Sequence, residues 1–120
     1  MRTFCRARFL FLALLLLAYS LGEARAGQSF DGLASFYSYE GSKSASGQQI
    51  ERGALTAAHR TLPFGTRVRV SAPKTGKSVV VTINDRGPFA RGRILDVSTS
   101  AAKLLGMVDK GVIYVHVEVL

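Results

Sequence analysis

Strict two-residue alternation is the feature that most limits what this 120-residue chain can fold into. In the last segment Ile113, Val115, Val117 and Val119 face one way, and Tyr114, His116 and Glu118 the other. Thr66-Arg67-Val68-Arg69-Val70-Ser71 alternates in the same manner. After the turn chemistry of Ala72-Pro73-Lys74-Thr75-Gly76, the chain returns as the β-branched run Lys77-Ser78-Val79-Val80-Val81-Thr82-Ile83. A period of two sends one row of side chains into a core and the other to water, which a helix cannot do. These segments read as strands, the middle two as a hairpin. Gly32–Tyr37 and Arg93–Val97 are further candidate strands. One helix is expected after them: Ser98 or Thr99 can cap it, Ala101-Ala102-Lys103-Leu104-Leu105 supplies helix formers, and Gly106 can end it. Short strands, turn signals and one short helix make an all-β chain, and a small closed barrel is the fitting class.

The N-terminus is of another kind. Arg2, Arg6 and Arg8 precede an uncharged apolar run of 11 residues, Phe9 to Tyr19, and Ala24-Arg25-Ala26 places small residues at the −3 and −1 positions of a cleavage site. That is the layout of a secretory signal peptide. Crossing a bilayer takes roughly 20 apolar residues, so the run reads as a leader and not as a retained anchor. The expected division is residues 1–26 as signal peptide and 27–120 as the single domain, with nothing after the last strand. The only cysteine, Cys5, falls in the leader and away from a cleavage site. A lipid-modified N-terminal cysteine, a disulfide, a thiol nucleophile and a cysteine-built zinc site are thereby excluded for the mature chain. The expectation is a monomer, periplasmic or secreted, without a stable membrane anchor, a metal or another cofactor.

Charge narrows the partners. The leader takes four of the 16 basic and one of the eight acidic residues, leaving twelve against seven. A basic domain can meet a polyanion, yet an export signal and the lack of any helix-turn-helix, RNP or zinc-finger pattern argue against nucleic acid. Wall polymers suit the compartment better.

Four polar stretches interrupt the strand pattern: Ser44-Ala45-Ser46-Gly47-Gln48, Thr56-Ala57-Ala58-His59, Asn84-Asp85-Arg86-Gly87-Pro88-Phe89, and Arg93-Ile94-Leu95-Asp96-Val97-Ser98. Together with Gly32-Leu33-Ala34-Ser35-Phe36-Tyr37, which is similar to a Gly-x-Ala-Ser-Trp-Tyr opening, they resemble, in order, the rare lipoprotein A (RlpA) family. The resemblance covers nearly all of residues 32–120. It implies a six-stranded double-psi β-barrel with one or two short helices, acting on peptidoglycan glycan strands. Characterised members are lytic transglycosylases, which leave a 1,6-anhydro ring on the muramic sugar; the related expansins loosen walls without hydrolysis.

The residues carry both readings. Glycosidic cleavage needs a proton donor for the leaving oxygen, and one group acting as acid and then base can suffice where the sugar's own 6-hydroxyl attacks. Asp85 and Asp96 are the candidates. Asp96, inside an apolar strand, would be desolvated and its pKa raised, while Arg86 would keep its neighbour Asp85 ionised. The alternatives are structural: Asp85 organising a tight turn through backbone N–H groups, and Asp96 bonding Ser98 or the helix N-terminus. His59 is expected to orient a carboxylate or sugar hydroxyl, and His116 to be simply exposed. Ser46, Gln48, Tyr37 and Arg86 are candidate substrate contacts. Tyr37, with Phe36 and Tyr39, would form a stacking platform, or Phe36 would be core and the tyrosines surface; Arg86, with Arg91 and Arg93, would meet lactyl or stem-peptide carboxylates. One position departs from the family: its loop reads roughly Thr-Ala-Asn-Gly-Glu, and Gln48 stands where the Glu belongs. An amide can hydrogen-bond a sugar but cannot exchange a proton at neutral pH, which leaves a non-catalytic, expansin-like glycan binder as the rival to a transglycosylase.

Overall fold

The structure, a computed structural model, describes residues 24–37, 43–48 and 53–120. The proposed leader therefore lies almost wholly outside the described residues, as do Cys5 and Tyr39. In chain order the elements are β1 (Ser29–Tyr37), β2 (Thr56–Ala58), β3 (Arg67–Ala72), β4 (Lys77–Asp85), β5 (Arg93–Ser98), α1 (Thr99–Leu105) and β6 (Ile113–Val119). The six strands close into a barrel in the order β1-β5-β2-β4-β3-β6. The β1/β5 and β2/β4 pairs are parallel and the other four antiparallel.

The alternation fills this barrel. Val68, Val70 and Ala72 enter from β3, Val79, Val81 and Ile83 from β4, Leu95 and Val97 from β5, and Val115, Val117 and Val119 from β6. Each is nearly or wholly buried, and burying one such side chain is worth roughly 1.5–3 kcal/mol. β3 and β4 form the expected hairpin, with Thr75 and Gly76 N–H groups donating to the Ala72 carbonyl. Two elements differ from expectation. β1 begins at Ser29, three residues before the predicted Gly32, because Ser29 to Leu33 pair with β6. Thr56–Ala58, read as part of a polar loop, is a strand: it is wedged between β4 and β5, its two strand partners.

Helix α1 covers the barrel with Ala101, Ala102 and Leu105. Ser98 caps it by accepting from the Ala101 N–H at 3.3 Å, and Gly106, at φ 71°, ends it in the left-handed conformation that glycine takes without strain. A second glycine is required for space. A Cβ at Gly32 would stand 2.8 Å from Ile94 Cγ2, so glycine lets β1 approach β5.

Candidate functional site

Strand β2 places the two aspartates. In its register, Ala58 lies opposite Asp96 on β5 and opposite Asp85 on β4. The β2/β4 pairing passes from Ala57↔Ile83 directly to Ala58↔Asp85, so Asn84 is an extra, bulged residue. Such a bulge re-aims the residue after it, and here it makes Asp85, not Asn84, the partner of Ala58. With neighbouring strands about 4.8 Å apart, the two aspartates flank β2 one strand away on either side. Their fields overlap: the Asp85 charge disfavours ionisation of Asp96.

The two carboxyls have different surroundings. Asp96 is half-buried and accepts from the Ser35 hydroxyl at 3.1 Å, Ser35 being its register partner on β1. Burial is the main influence and pushes the Asp96 carboxyl above its usual range, against the opposing pull of the Ser35 hydrogen bond and Arg93. The alternative in which Asp96 bonds Ser98 or the helix N-terminus is not what occurs. The Ser98 hydroxyl donates to the Ala54 carbonyl at 2.8 Å and accepts from the Thr56 and Ala101 N–H groups.

Asp85 Oδ1 accepts two backbone N–H groups at 2.8 Å, from Arg86 and from Ala45 across 40 residues. The carboxylate is thus a clamp for the loop carrying Gln48. The loop is further fixed by Ser46 N–H donating to the Asn84 carbonyl, Ser44 N–H donating to the Gln48 carbonyl, and a Ser44–Ser46 hydroxyl pair at 2.7 Å. Ser46 is therefore tied into its own loop, and Gln48 is exposed.

His59 follows β2. Its Nδ1 accepts from the Thr61 and Leu62 N–H groups at 3.1 and 3.0 Å. An Nδ1 that accepts leaves the proton on Nε2, so the ring is neutral and its remaining polar atom is a donor. Burial first, then Arg60 and Arg86, push the His59 pKa below its usual value. The ring also packs against Phe30, centroid to centroid 5.2 Å.

Three expectations are corrected. Arg86, expected to meet a substrate carboxylate, has its guanidinium engaged within the fold, donating to the Leu62 and His59 carbonyls at 2.7 and 3.2 Å and lying 4.0 Å over the Phe64 ring. It braces the loop after His59 and contributes to Asp85 only its backbone N–H. Tyr37 offers no stacking face, since the residue is only 6% exposed and its hydroxyl is 2.8 Å from Thr56 Oγ1. Burial raises its pKa against the opposing pull of the Thr56 hydrogen bond, and the charges of Asp85 and Asp96 add to the rise. Phe36 packs partly buried against the core. His116 is not merely exposed, because its Nδ1 meets Asp31 Oδ1 at 2.6 Å.

Ser35, Thr56 and Phe64 were not singled out from the sequence. Only the register reveals Ser35, and nothing local marks Thr56 or Phe64 as partners of Tyr37 and Arg86. Among the described residues, no three His, Cys, Asp or Glu side chains gather where they could hold a metal ion.

A family model described as lytic transglycolase matches residues 29–117. A probable endolytic peptidoglycan transglycosylase RlpA from Nostoc sp. is 56% identical over 96 residues, 77% of this chain and 26% of that protein. The endolytic peptidoglycan transglycosylase RlpA of Pasteurella multocida is 46% identical over 96 residues, 78% of this chain and 33% of its own length. The chain thus spans a quarter to a third of these curated relatives. Among solved structures, a mutant Clavibacter michiganensis expansin in complex with cellohexaose superposes with a TM-score of 0.65 at 21% identity, over 78% of this chain and 50% of its own. A Streptomyces papain inhibitor gives 0.68 at 22%, over 82% and 99%. At those identities the likeness concerns the double-psi barrel alone.

Proposed function

The chain belongs to the lytic transglycolase family of RlpA-like double-psi barrels, and from that premise we propose that it cleaves peptidoglycan glycan strands outside the cytoplasm, leaving 1,6-anhydro-muramic ends. The observation that carries this reading is the pair of aspartates flanking β2, one of them desolvated. In the proposed reaction a protonated Asp96 gives its proton to the glycosidic oxygen as the bond to C1 breaks. The sugar's 6-hydroxyl oxygen then bonds to C1, and its proton returns to Asp96, which ends the cycle as it began. Asp85 holds the Gln48 loop against the site and sets a second carboxyl beside the developing positive charge. The neutral His59, with Nε2–H as donor, orients a hydroxyl or acetamido oxygen and takes no proton. The protein acts as a monomer, and Gln48 and Ser46 meet the substrate from the loop.

The test is incubation of the protein with isolated sacculi and mass spectrometry of the released fragments. Anhydro-ended products that disappear with Asp96→Asn support cleavage. Sedimentation with sacculi and no released fragments would instead establish the second reading, an expansin-like binder, which the exposed amide of Gln48 favours. Under that outcome, Gln48→Glu would be expected to confer cutting if the loop carboxyl alone were missing.

A further inference from the structure

The fold buries the expected stacking ring, Tyr37, and exposes another. Phe89 is 79% exposed, the most of any large hydrophobic side chain among the described residues. Exposure alone decides nothing, since single apolar side chains are common on protein surfaces. Its position does. Phe89 lies midway along residues 86–92, the connection that leaves β4 at Asp85 and enters β5 at Arg93. β4 runs parallel to β2 and β5 antiparallel to it, so the connection spans the end of β2, where Ala58 separates the two aspartates. Two hydrogen bonds tie the residues after β2 to both ends of the connection. The His59 N–H donates to the Asp85 carbonyl and the Arg60 guanidinium to the Arg93 carbonyl, each at 3.2 Å. Ala57, Leu95 and Val97 belong to the core, so alternation turns Ala58 and Asp96 outward, onto the surface that this connection borders.

The ring is near Asp85 and firmly held. The Asp85 carboxylate accepts the Arg86 N–H at 2.8 Å, and Phe89 Cε2 stands 3.7 Å from where a Cβ on Gly87 would sit. With consecutive Cα atoms about 3.8 Å apart, the ring edge falls within about 13 Å of that carboxylate, within reach of a neighbouring sugar on one strand. The contact is through one edge, Cδ2 and Cε2, and leaves the ring faces open. The Arg86 guanidinium anchors the connection to the Leu62 and His59 carbonyls, and the Arg93 N–H donates to the Ala90 carbonyl. A ring presented on a braced loop has little left to order on binding. A pyranose carries C–H bonds on its faces and hydroxyls at its rim, and its C–H face matches the electron-rich face of an aromatic ring. Arg60, Arg86, Arg91 and Arg93 outnumber the two aspartates here, which disfavours a cation over the ring and suits a neutral or acidic sugar. We propose that Phe89 is the platform on which one sugar of the peptidoglycan glycan strand stacks, beside the aspartates. The choice of polymer rests on the wall-glycan reading above.

The test is calorimetric titration with a peptide-free glycan oligosaccharide, in an Asp96→Asn background so that the ligand stays whole. Phe89→Ala should weaken binding about tenfold. Phe89→Leu, which keeps an apolar side chain but has no aromatic face, should weaken it nearly as much, and Phe89→Trp should retain it. The thermal midpoint should hardly move in any of the three, because the ring lies outside the core. Equal affinity of the alanine variant and the parent, full affinity of the leucine variant, or no binding by the parent would overturn the proposal. So would self-association of the parent that Phe89→Ala abolishes while glycan affinity stays unchanged, since the ring would then be a contact between copies. The proposal and the cleavage reading fail separately. Phe89-dependent binding by a protein that releases no anhydro-ended fragments would uphold the platform and refute cleavage. Cutting of sacculi by a protein whose glycan affinity ignores Phe89 would do the reverse.

Discussion

Under the proposed reaction, Asp96 couples chemistry to stability in opposite directions. Its pKa in the fold stands above the unfolded value, so the ionised form is better tolerated unfolded. Stability from this group is fully present at low pH and is lost as pH rises through the folded pKa. Asp96→Asn keeps an acceptor for Ser35 and removes the charge. It should raise the thermal midpoint at pH 7, leave it unchanged near about pH 3 where both states are protonated, and lower fragment release by roughly 10²–10⁴-fold. Paired melts and product assays check this, and a variant less stable than the parent at pH 7 would contradict the desolvation argument. For His59 the sign differs. Its pKa is lowered in the fold, so its contribution is lost as pH falls from about 6.5 toward that lower value. At Asp85, clamp and chemistry can be separated by chain length at one atom. Asp85→Asn retains Oδ1 for the Ala45 and Arg86 N–H groups, whereas Asp85→Ala removes it. Amide exchange at Ala45 should accelerate in the alanine variant and stay slow in the asparagine variant, while both lose cleavage if the carboxyl acts on the substrate.

At the scale of elements, Ser98 joins three segments with one hydroxyl. It caps α1, holds the Ala54 carbonyl and receives the N–H that starts β2. Ser98→Ala should cost about 2 kcal/mol, a lost cap plus a stranded carbonyl, measurable by urea unfolding. Gly32→Ala should cost about 1–3 kcal/mol by forcing β1 off Ile94. The sequence made β3, β4, β6 and α1 legible because each carries its own signal: alternation in the strands, Ser98 and Gly106 at the helix ends. β2 carries none, since three residues are too few for a period and its partners are 26 or more residues downstream. The aspartates were legible as residue types, but their arrangement was not. The bulge at Asn84 and the Ser35–Asp96 bond, 61 residues apart, exist only once the register is set. Arg86 differs for a related reason: its place in a polar stretch suggested a substrate contact, and tertiary packing turned the guanidinium to carbonyls two dozen residues upstream.

For the molecule as a whole, the excess of twelve basic over seven acidic residues in residues 27–120 should make retention on sacculi depend on salt. Raising ionic strength from about 0.01 to 0.15 M shortens the screening length from roughly 30 to 8 Å. Binding should fall across that range, and salt-independent co-sedimentation would show that charge has no part in it. The strand order has a consequence of another kind. β1 pairs only with β5 and β6, so the first strand waits for the fifth and the last. Only the β3–β4 hairpin can form from immediate neighbours. A chain wired in this way stays threadable until β6 emerges, as a polypeptide must be if it is to pass through a narrow translocation channel before it folds.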